Sequence, residues 1–282
     1  MSDSSRRSAP PLPNVDASAI KEIATDVFVI SDRRIPLVPN VGIVCGTDAV
    51  LVVDTGMGPG NGKRVLDAAR RIAGSRRLIL TITHFHPEHG FGAQAFKSAA
   101  RITYNSAQRD ELRAKGQAYL DMFQGFGPGV AAALLGTEIV MPDDVYDGAS
   151  AELDLGGRKV EFRTWGLAHT HGDQIVWLPA EKILFMGDLA EERIFPIFPW
   201  FPPNDADLDA ARWVKILSEL ESWKPEIVVP GHGDVGSVEI LTAVRNYMLD
   251  LGSRVAAERR AGKDADAIVA ELAPKIRAEH PD

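Results

Sequence analysis

Cysteine is nearly absent from this sequence. Cys45 is the single one among 282 residues, so no internal disulfide can form and packing must hold the fold together. Cys45 closes the apolar run Val41–Cys45 and reads as a small buried hydrophobe. No apolar run of about 18 residues occurs, so no membrane-crossing helix is expected. The opening stretch MSDSSRRSAPPLPNVD carries two arginines but no apolar segment after them, unlike a signal peptide. The expectation is a cytoplasmic protein with no membrane partner, whose Ser/Pro-rich residues 1–18 form a flexible tail. Basic charge is also in deficit. Lys and Arg number 31 against 39 Asp and Glu, a net charge of −8, which argues against nucleic acid and for a small-molecule substrate. No internal repeat of 20–50 residues stands out.

The rest has the composition of an ordinary globular chain, 45% hydrophobic and 25% charged. Its length allows one large domain, residues 19–282. Strands are predicted at Asp26–Ser31, then at Val41–Cys45 and Ala49–Asp54, which flank a Gly-Thr-Asp turn as a hairpin. A helix over Gly60–Ala73 buries Val65, Ala68, Ala69 and Ile72. Leu78–Thr83 (LILTIT) reads as a fully buried strand, and Arg101–Tyr104 as another. Residues 106–136 resemble a helical insertion, a long helix over Ser106–Phe123, a break at Gly125–Gly129 and a short helix over Val130–Leu135. Strands follow at Glu152–Leu155 and Lys159–Trp165. Gln174–Leu178 and Lys182–Met186 are two more, joined by a tight turn. After the helix Leu208–Trp223 and the buried strand Glu226–Pro230, residues 237–282 form a helical extension, Ser237–Arg260 and Asp264–Glu279, the latter interrupted at Pro274. Frequent hairpins mixed with helices favour two sheets covered by helices, a four-layer αββα sandwich, over a doubly wound parallel sheet.

Histidine is scarce too, but concentrated. Of the seven in the chain, His84, His86 and His89 fall in ITHFHPEHGFG. His84 and His86 alternate just past a buried strand, so both side chains share one face if extended geometry persists. Two imidazoles there can ligate a metal, and Glu88 with His89 can hold a second. A donor set of imidazole and carboxylate suits Zn, Mn or Fe(II). Further candidates stand where later strands give way to glycine-containing turns: Asp54 in LVVDTG, His169 in GLAHTHGD, Asp188 in LFMGD and His232 in PGHGD.

This ordered set resembles the metallo-β-lactamase superfamily over about residues 26–236. Its five motifs align at Asp54; at His84, His86, Glu88 and His89; at His169; at Asp188; and at His232. The resemblance implies an αββα fold with a metal site on the open edge between the sheets. It implies that His84, His86 and His169 hold one ion, that Glu88, His89 and His232 hold another, that Asp188 bridges both, and that Asp54 orients the cluster. One position departs from the pattern. Glu88 stands where the family has Asp, with one more methylene, so its carboxylate either folds back onto the second ion or swings away from it.

The resemblance also implies a metal-dependent hydrolase: zinc, with two ions expected and one possible, and iron or manganese as alternatives. Metal-bound hydroxide would attack the carbonyl of an ester, thioester, lactone or lactam with an apolar part. An acidic bridge such as Asp188 points away from a true zinc β-lactamase, although β-lactamase activity stays open. The alternative from another class is a mononuclear iron oxidoreductase of the persulfide dioxygenase type. Asp188 and Asp54 are the expected catalytic carboxylates. His171 is either a donor to the oxyanion or a surface residue. The loop RIFPIFPWFPP, Arg193–Pro203, is either a brace or contact in a homodimer, or, with Tyr119, Met122 and Phe123, an apolar wall for substrate. His280 matches no motif and is expected to be solvent-exposed.

Overall fold

The computed structural model describes residues 11–199, 201–203 and 205–281. Strands β1 (Ile20–Ala24), β2 (Val27–Ile30), β3 (Val41–Cys45) and β4 (Ala49–Val53) form an antiparallel meander. Helix α1 (Gly58–Ala73) then crosses to β5 (Arg77–Thr81), which runs parallel to β4. A single turn, α2 (Pro87–Gly90), precedes β6 (Ala100–Asn105); helices α3 (Ser106–Gln124) and α4 (Pro128–Ala133) lead on to β7 (Asp144–Tyr146). β5, β6 and β7 are parallel, so the first sheet has its seven strands in sequence order.

The second sheet has five strands. β8 (Ser150–Asp154), β9 (Lys159–Thr164), β10 (Gln174–Leu178) and β11 (Ile183–Phe185) are antiparallel. Helix α5 (Ala210–Ser222) returns the chain to β12 (Ile227–Val229), parallel to β11. Helices α6 (Glu239–Arg260) and α7 (Ala265–Glu279) follow.

The apolar alternation assigns each strand face to a layer. On β4, Val50 and Val52 pack with α1 residues Val65 and Ala69, while Leu51 and Val53 face the second sheet. On β10, Ile175 and Trp177 pack with α5 residues Ile216 and Leu217, while Val176 and Leu178 face the first sheet. Both strands are buried on both faces, hence their unbroken apolar sequences. Three apolar layers between four layers of structure make the αββα sandwich expected from the sequence. The sheets approach closely at Gly42, where a Cβ would stand 2.5 Å from the Phe185 ring.

Several boundaries differ from expectation. The tail gives way to packed chain before residue 18. Val15 is buried, and Asn61 holds the segment by accepting from Val15 N and donating to Pro13 O. Residues 1–10 of that tail lie outside the described residues. The segment read as an insertion is the crossover between β6 and β7, and α3 buries Leu112, Tyr119, Leu120 and Phe123 in the core. It starts with a capping box, Asn105 and Gln108 each accepting from the other's backbone N–H. Helix α7 continues through Pro274, which costs it one backbone hydrogen bond rather than the helix. Among the described residues no helix is long and apolar enough to cross a membrane.

Candidate metal centre

Every motif residue sits beyond the C-terminal end of a strand, on the edge where the two sheets open. Asp54 follows β4; His84, His86, Glu88 and His89 follow β5; His169 follows β9; Asp188 follows β11; His232 follows β12. The fold brings them into two buried groups that share Asp188. One is His84, His86, His169 and Asp188; the other is Glu88, His89, Asp188 and His232. Within each group the ligand-capable atoms all lie within 4.8 Å of one another.

Asp188 divides its carboxylate between the groups. Its Oδ2 lies 3.8 Å from His84 Nε2 and 3.9 Å from His169 Nε2. Its Oδ1 lies 3.1 Å from His89 Nε2 and 3.7 Å from His232 Nε2. His169 Nε2 stands 3.2 Å from His86 Nδ1. Glu88, in the first turn of α2, is 4% exposed and turns its carboxylate into the second group. Of the two conformations left open by the sequence, the inward one is present.

The outward ring nitrogens are held by the protein. His89 Nδ1–H donates to Asp54 Oδ2 at 2.9 Å, His169 Nδ1–H to Ile197 O at 2.9 Å and His232 Nδ1–H to Val38 O at 2.8 Å. These bonds orient the rings so that each Nε2 faces inward, where His89 must give up a proton before it can ligate. Asp54 also accepts from Thr83 N at 2.7 Å and Thr83 Oγ1 at 2.9 Å. Its backbone has φ 68, a left-handed conformation costing a non-glycine residue about 1–3 kcal/mol. Gly231 is required by proximity, since a Cβ there would fall 2.0 Å from Asp188 Oδ1.

These residues fit a metal. His84 Nε2, Glu88 Oε2 and Asp188 Oδ1 are buried without hydrogen-bond partners, and a cation satisfies such lone pairs where burial alone would cost several kcal/mol. Three of the rings are already in the neutral form that ligates a metal. Burial pushes the His84, His86 and His169 pKa values down, neighbouring imidazoles adding to it, so these rings are neutral. Burial acts the same way on His89, but Asp188 and Asp54 outweigh it and raise its pKa well above the usual value. Burial would raise Asp188, yet His89 and His232 hold it well below the usual carboxylate range.

Other expected residues fall elsewhere. His171 belongs to neither group; its side chain is 45% exposed and lies 3.3 Å from Asp207 Oδ2. His280 is exposed as expected, but its ring packs edge-on against Phe195 and Tyr247. The 193–203 loop braces both halves. Phe198 packs on Trp213 in the second half and Phe201 on Tyr119 in the first, while Ile197 O holds His169. Trp200 lies outside the described residues.

Sequence reasoning missed several supports. Tyr119, read as an apolar wall, stacks on His86 at 5.0 Å and donates its hydroxyl to Asp205 at 2.6 Å. Lys115 also donates to Asp205, at 3.0 Å. Asn40 clamps the His232 turn, donating to Pro230 O and Gly233 O at 3.0 and 2.8 Å. Only the pairing of distant loops reveals these roles. Thr83, adjacent to His84, was the one such residue with a local signal.

A family model for the metallo-beta-lactamase superfamily matches residues 34–232. The chain belongs to that superfamily. As a metallo-β-lactamase superfamily member it shares 25% identity over 213 residues with a linear primary-alkylsulfatase of Pseudomonas sp. (strain ATCC 19151), covering 66% of this chain and 40% of that protein's length. It shares 24% identity over 230 residues with the acyl-coenzyme A thioesterase MBLAC2 of Bos taurus, covering 76% and 80% of the two chains. The solved structure of the stereoselective inverting sec-alkylsulfatase Pisa1 from Pseudomonas sp. superposes with a TM-score of 0.71 at 16% identity, over 89% of this chain and 45% of the other. This superfamily member therefore spans less than half of the alkylsulfatases' lengths and most of the thioesterase's. Its metal-binding cluster and its membership support a hydrolase.

Proposed function

We propose that this chain is a dinuclear zinc hydrolase acting on an ester or thioester with an apolar part, a lactone or lactam being the cyclic variants. The observation that carries the reading is the position of Asp188, with one oxygen toward each group of imidazoles. His84, His86 and His169 would hold one ion; Glu88, His89 and His232 the other. Ions held there would bring the pKa of coordinated water down to near neutrality and polarise the carbonyl.

The chain's own residues do the rest. Asp188, anionic at neutral pH, orients the nucleophile and can carry its proton at a carboxylate oxygen to the leaving group. Asp54 locks the His89 ring and ties it to the backbone of Thr83. Tyr119 and the bond from His169 to Ile197 O fix the His86 and His169 rings. Ligands 0–8% exposed keep bulk water from the reacting atoms.

The test is a substrate panel on zinc-loaded protein: a p-nitrophenyl ester, a medium-chain acyl-coenzyme A, a lactone, a β-lactam and a primary alkyl sulfate. Ester or thioester turnover that a chelator removes and zinc restores is expected. Likeness to a linear primary-alkylsulfatase favours sulfate-ester hydrolysis as the second reading, and turnover of the alkyl sulfate alone would select it. One iron per chain, with oxygen consumed on a persulfide, would refute the hydrolase reading.

A further inference from the structure

Helix α3 carries a polar stripe into the core. Gln108, Glu111, Lys115 and Tyr119 recur at steps of three and four residues and so share one face. That face meets the loops that carry the first group of ligands. Gln108 Nε2 donates to Ile82 O at 2.7 Å and to Thr83 O at 3.0 Å, just ahead of His84. Glu111 Oε2 accepts from Gly172 N at 2.8 Å, in the turn that follows His169. The Tyr119 ring stacks on His86 and its hydroxyl donates to Asp205. Among the described residues, no hydrogen bond from these four side chains runs to Glu88, His89 or His232.

Lys115 joins these contacts. Its Nζ lies 3.3 Å from Glu111 Oε1 and 3.0 Å from Asp205 Oδ1, with the more exposed Asp207 Oδ2 at 3.7 Å. It also stands 5.7 Å from the ring centre of Phe85, the residue between His84 and His86. The side chains of Glu111, Lys115 and Asp205 are 6, 15 and 3% exposed. Burial lowers the Lys115 pKa, but Glu111 and Asp205 outweigh it, so the ammonium is charged at neutral pH. Asp205 in turn closes the loop that begins past Asp188. Its backbone pairs with Phe201, and Ile197 O of the same loop accepts from His169. Stability does not account for the triad, because a buried ion cluster is often no more stabilising than apolar side chains of the same volume.

We propose that Lys115 is a positioning residue for the first metal group. One ammonium ties Glu111, which holds the His169 turn, to Asp205, which holds Tyr119 against His86. Two of the three imidazoles of that group take their places from a side chain that bonds to neither. The second group has its own supports in Asp54 and Val38 O, so loss of Lys115 acts on one ion and spares the other. This rests on the reading of His84, His86 and His169 as ligands of one ion, and not on which bond the enzyme hydrolyses.

The test reads each group separately, by zinc titration of the full chain against a chromophoric chelator. His232→Ala disables the second group, so its zinc affinity reports the first; His84→Ala does the reverse. Lys115→Met should lower zinc affinity about 10–100-fold in the His232→Ala chain and leave it unchanged in the His84→Ala chain. Cobalt(II) bound to the first group should change its visible spectrum in the same variant, since its bands follow ligand geometry. Tyr119→Phe probes the same tie from its far end. It keeps the ring on His86 and removes one hydrogen bond to Asp205, for an expected loss of about fivefold, again confined to the first group. Where Lys115→Met does not fold, Tyr119→Phe decides. Undiminished affinity in the His232→Ala chain overturns the proposal. An equal loss in both chains does so too, marking a general loss of structure. A first group that binds no zinc removes the proposal and the metal reading together. Zinc held as predicted by a chain that turns over no substrate would remove the hydrolase reading and leave this one standing.

Discussion

His89 must be stripped of a proton before it can ligate. Its raised pKa, set by Asp188 and Asp54 against the pull of burial, keeps it protonated in the metal-free chain. His84, His86 and His169 are held neutral by burial. The sign of the pH effect follows. Below the raised pKa of His89, each fall in pH adds a competing proton at the second group and none at the first, so affinity there falls more steeply with acid. Glu88, raised by burial, acts in the same direction. Zinc titrations in buffers of different ionisation enthalpy should show proton release concentrated in the second equivalent; equal release from both equivalents would contradict this. Asp54 is the neighbouring test. Asp54→Ala removes the acceptor for His89 Nδ1–H and for Thr83 N–H and leaves a Cβ in a left-handed backbone. Metal affinity should drop about 10–100-fold, and the melting temperature of the metal-free chain should fall because buried donors lose their acceptor.

At the scale of elements, strand ends place the ligands and neighbouring turns hold them. Gly231 leaves no room for a side chain beside Asp188. Gly231→Ala should cost metal binding or activity by about a hundredfold, measured as zinc affinity and kcat/KM, with the circular dichroism spectrum preserved. Trp213 of α5 is fully buried, donates to Leu189 O at 2.8 Å and packs edge-on against His169 at 5.5 Å. Trp213→Ala should lose about 3–5 kcal/mol of stability in urea. How much was legible follows from what each element is made of. β4, β5 and β10 were readable because strands buried on both faces must be continuously apolar. β1, with Lys21 and Glu22 among its five residues, and β7, three residues long, carry no such signal, and their strand character comes from pairing with β2 and β6. The ligands were legible because imidazoles are rare, because one loop carries His84, His86, Glu88 and His89, and because His169, Asp188 and His232 each stand just past a strand. The burial of Glu191 was not. In LAEER it stands beside an equally acidic Glu192, and only tertiary packing buries one and leaves its neighbour in an ion pair with Arg34.

Over the whole molecule, the site is a seam. The first group takes His84 and His86 from the first sheet, and His169 and Asp188 from the second; the other takes Glu88 and His89 from the first, and Asp188 and His232 from the second. Each ion would therefore tie the two halves together with two ligands from each. Metal that binds only the folded chain stabilises it by about 2.7 kcal/mol at a hundred times Kd. For a chain of this size that raises the melting temperature by about 5–10 °C. Differential scanning fluorimetry with zinc and with a chelator should show that difference, reversibly, and His86→Ala should shrink it.

The central claim is that Glu88 completes a second metal position in place of the usual Asp. The most direct measurement is zinc stoichiometry by equilibrium dialysis and elemental analysis, on the native chain and on Glu88→Ala. Two equivalents for the native chain and one for Glu88→Ala are predicted. One equivalent for the native chain, or two tightly held by Glu88→Ala, would contradict the claim.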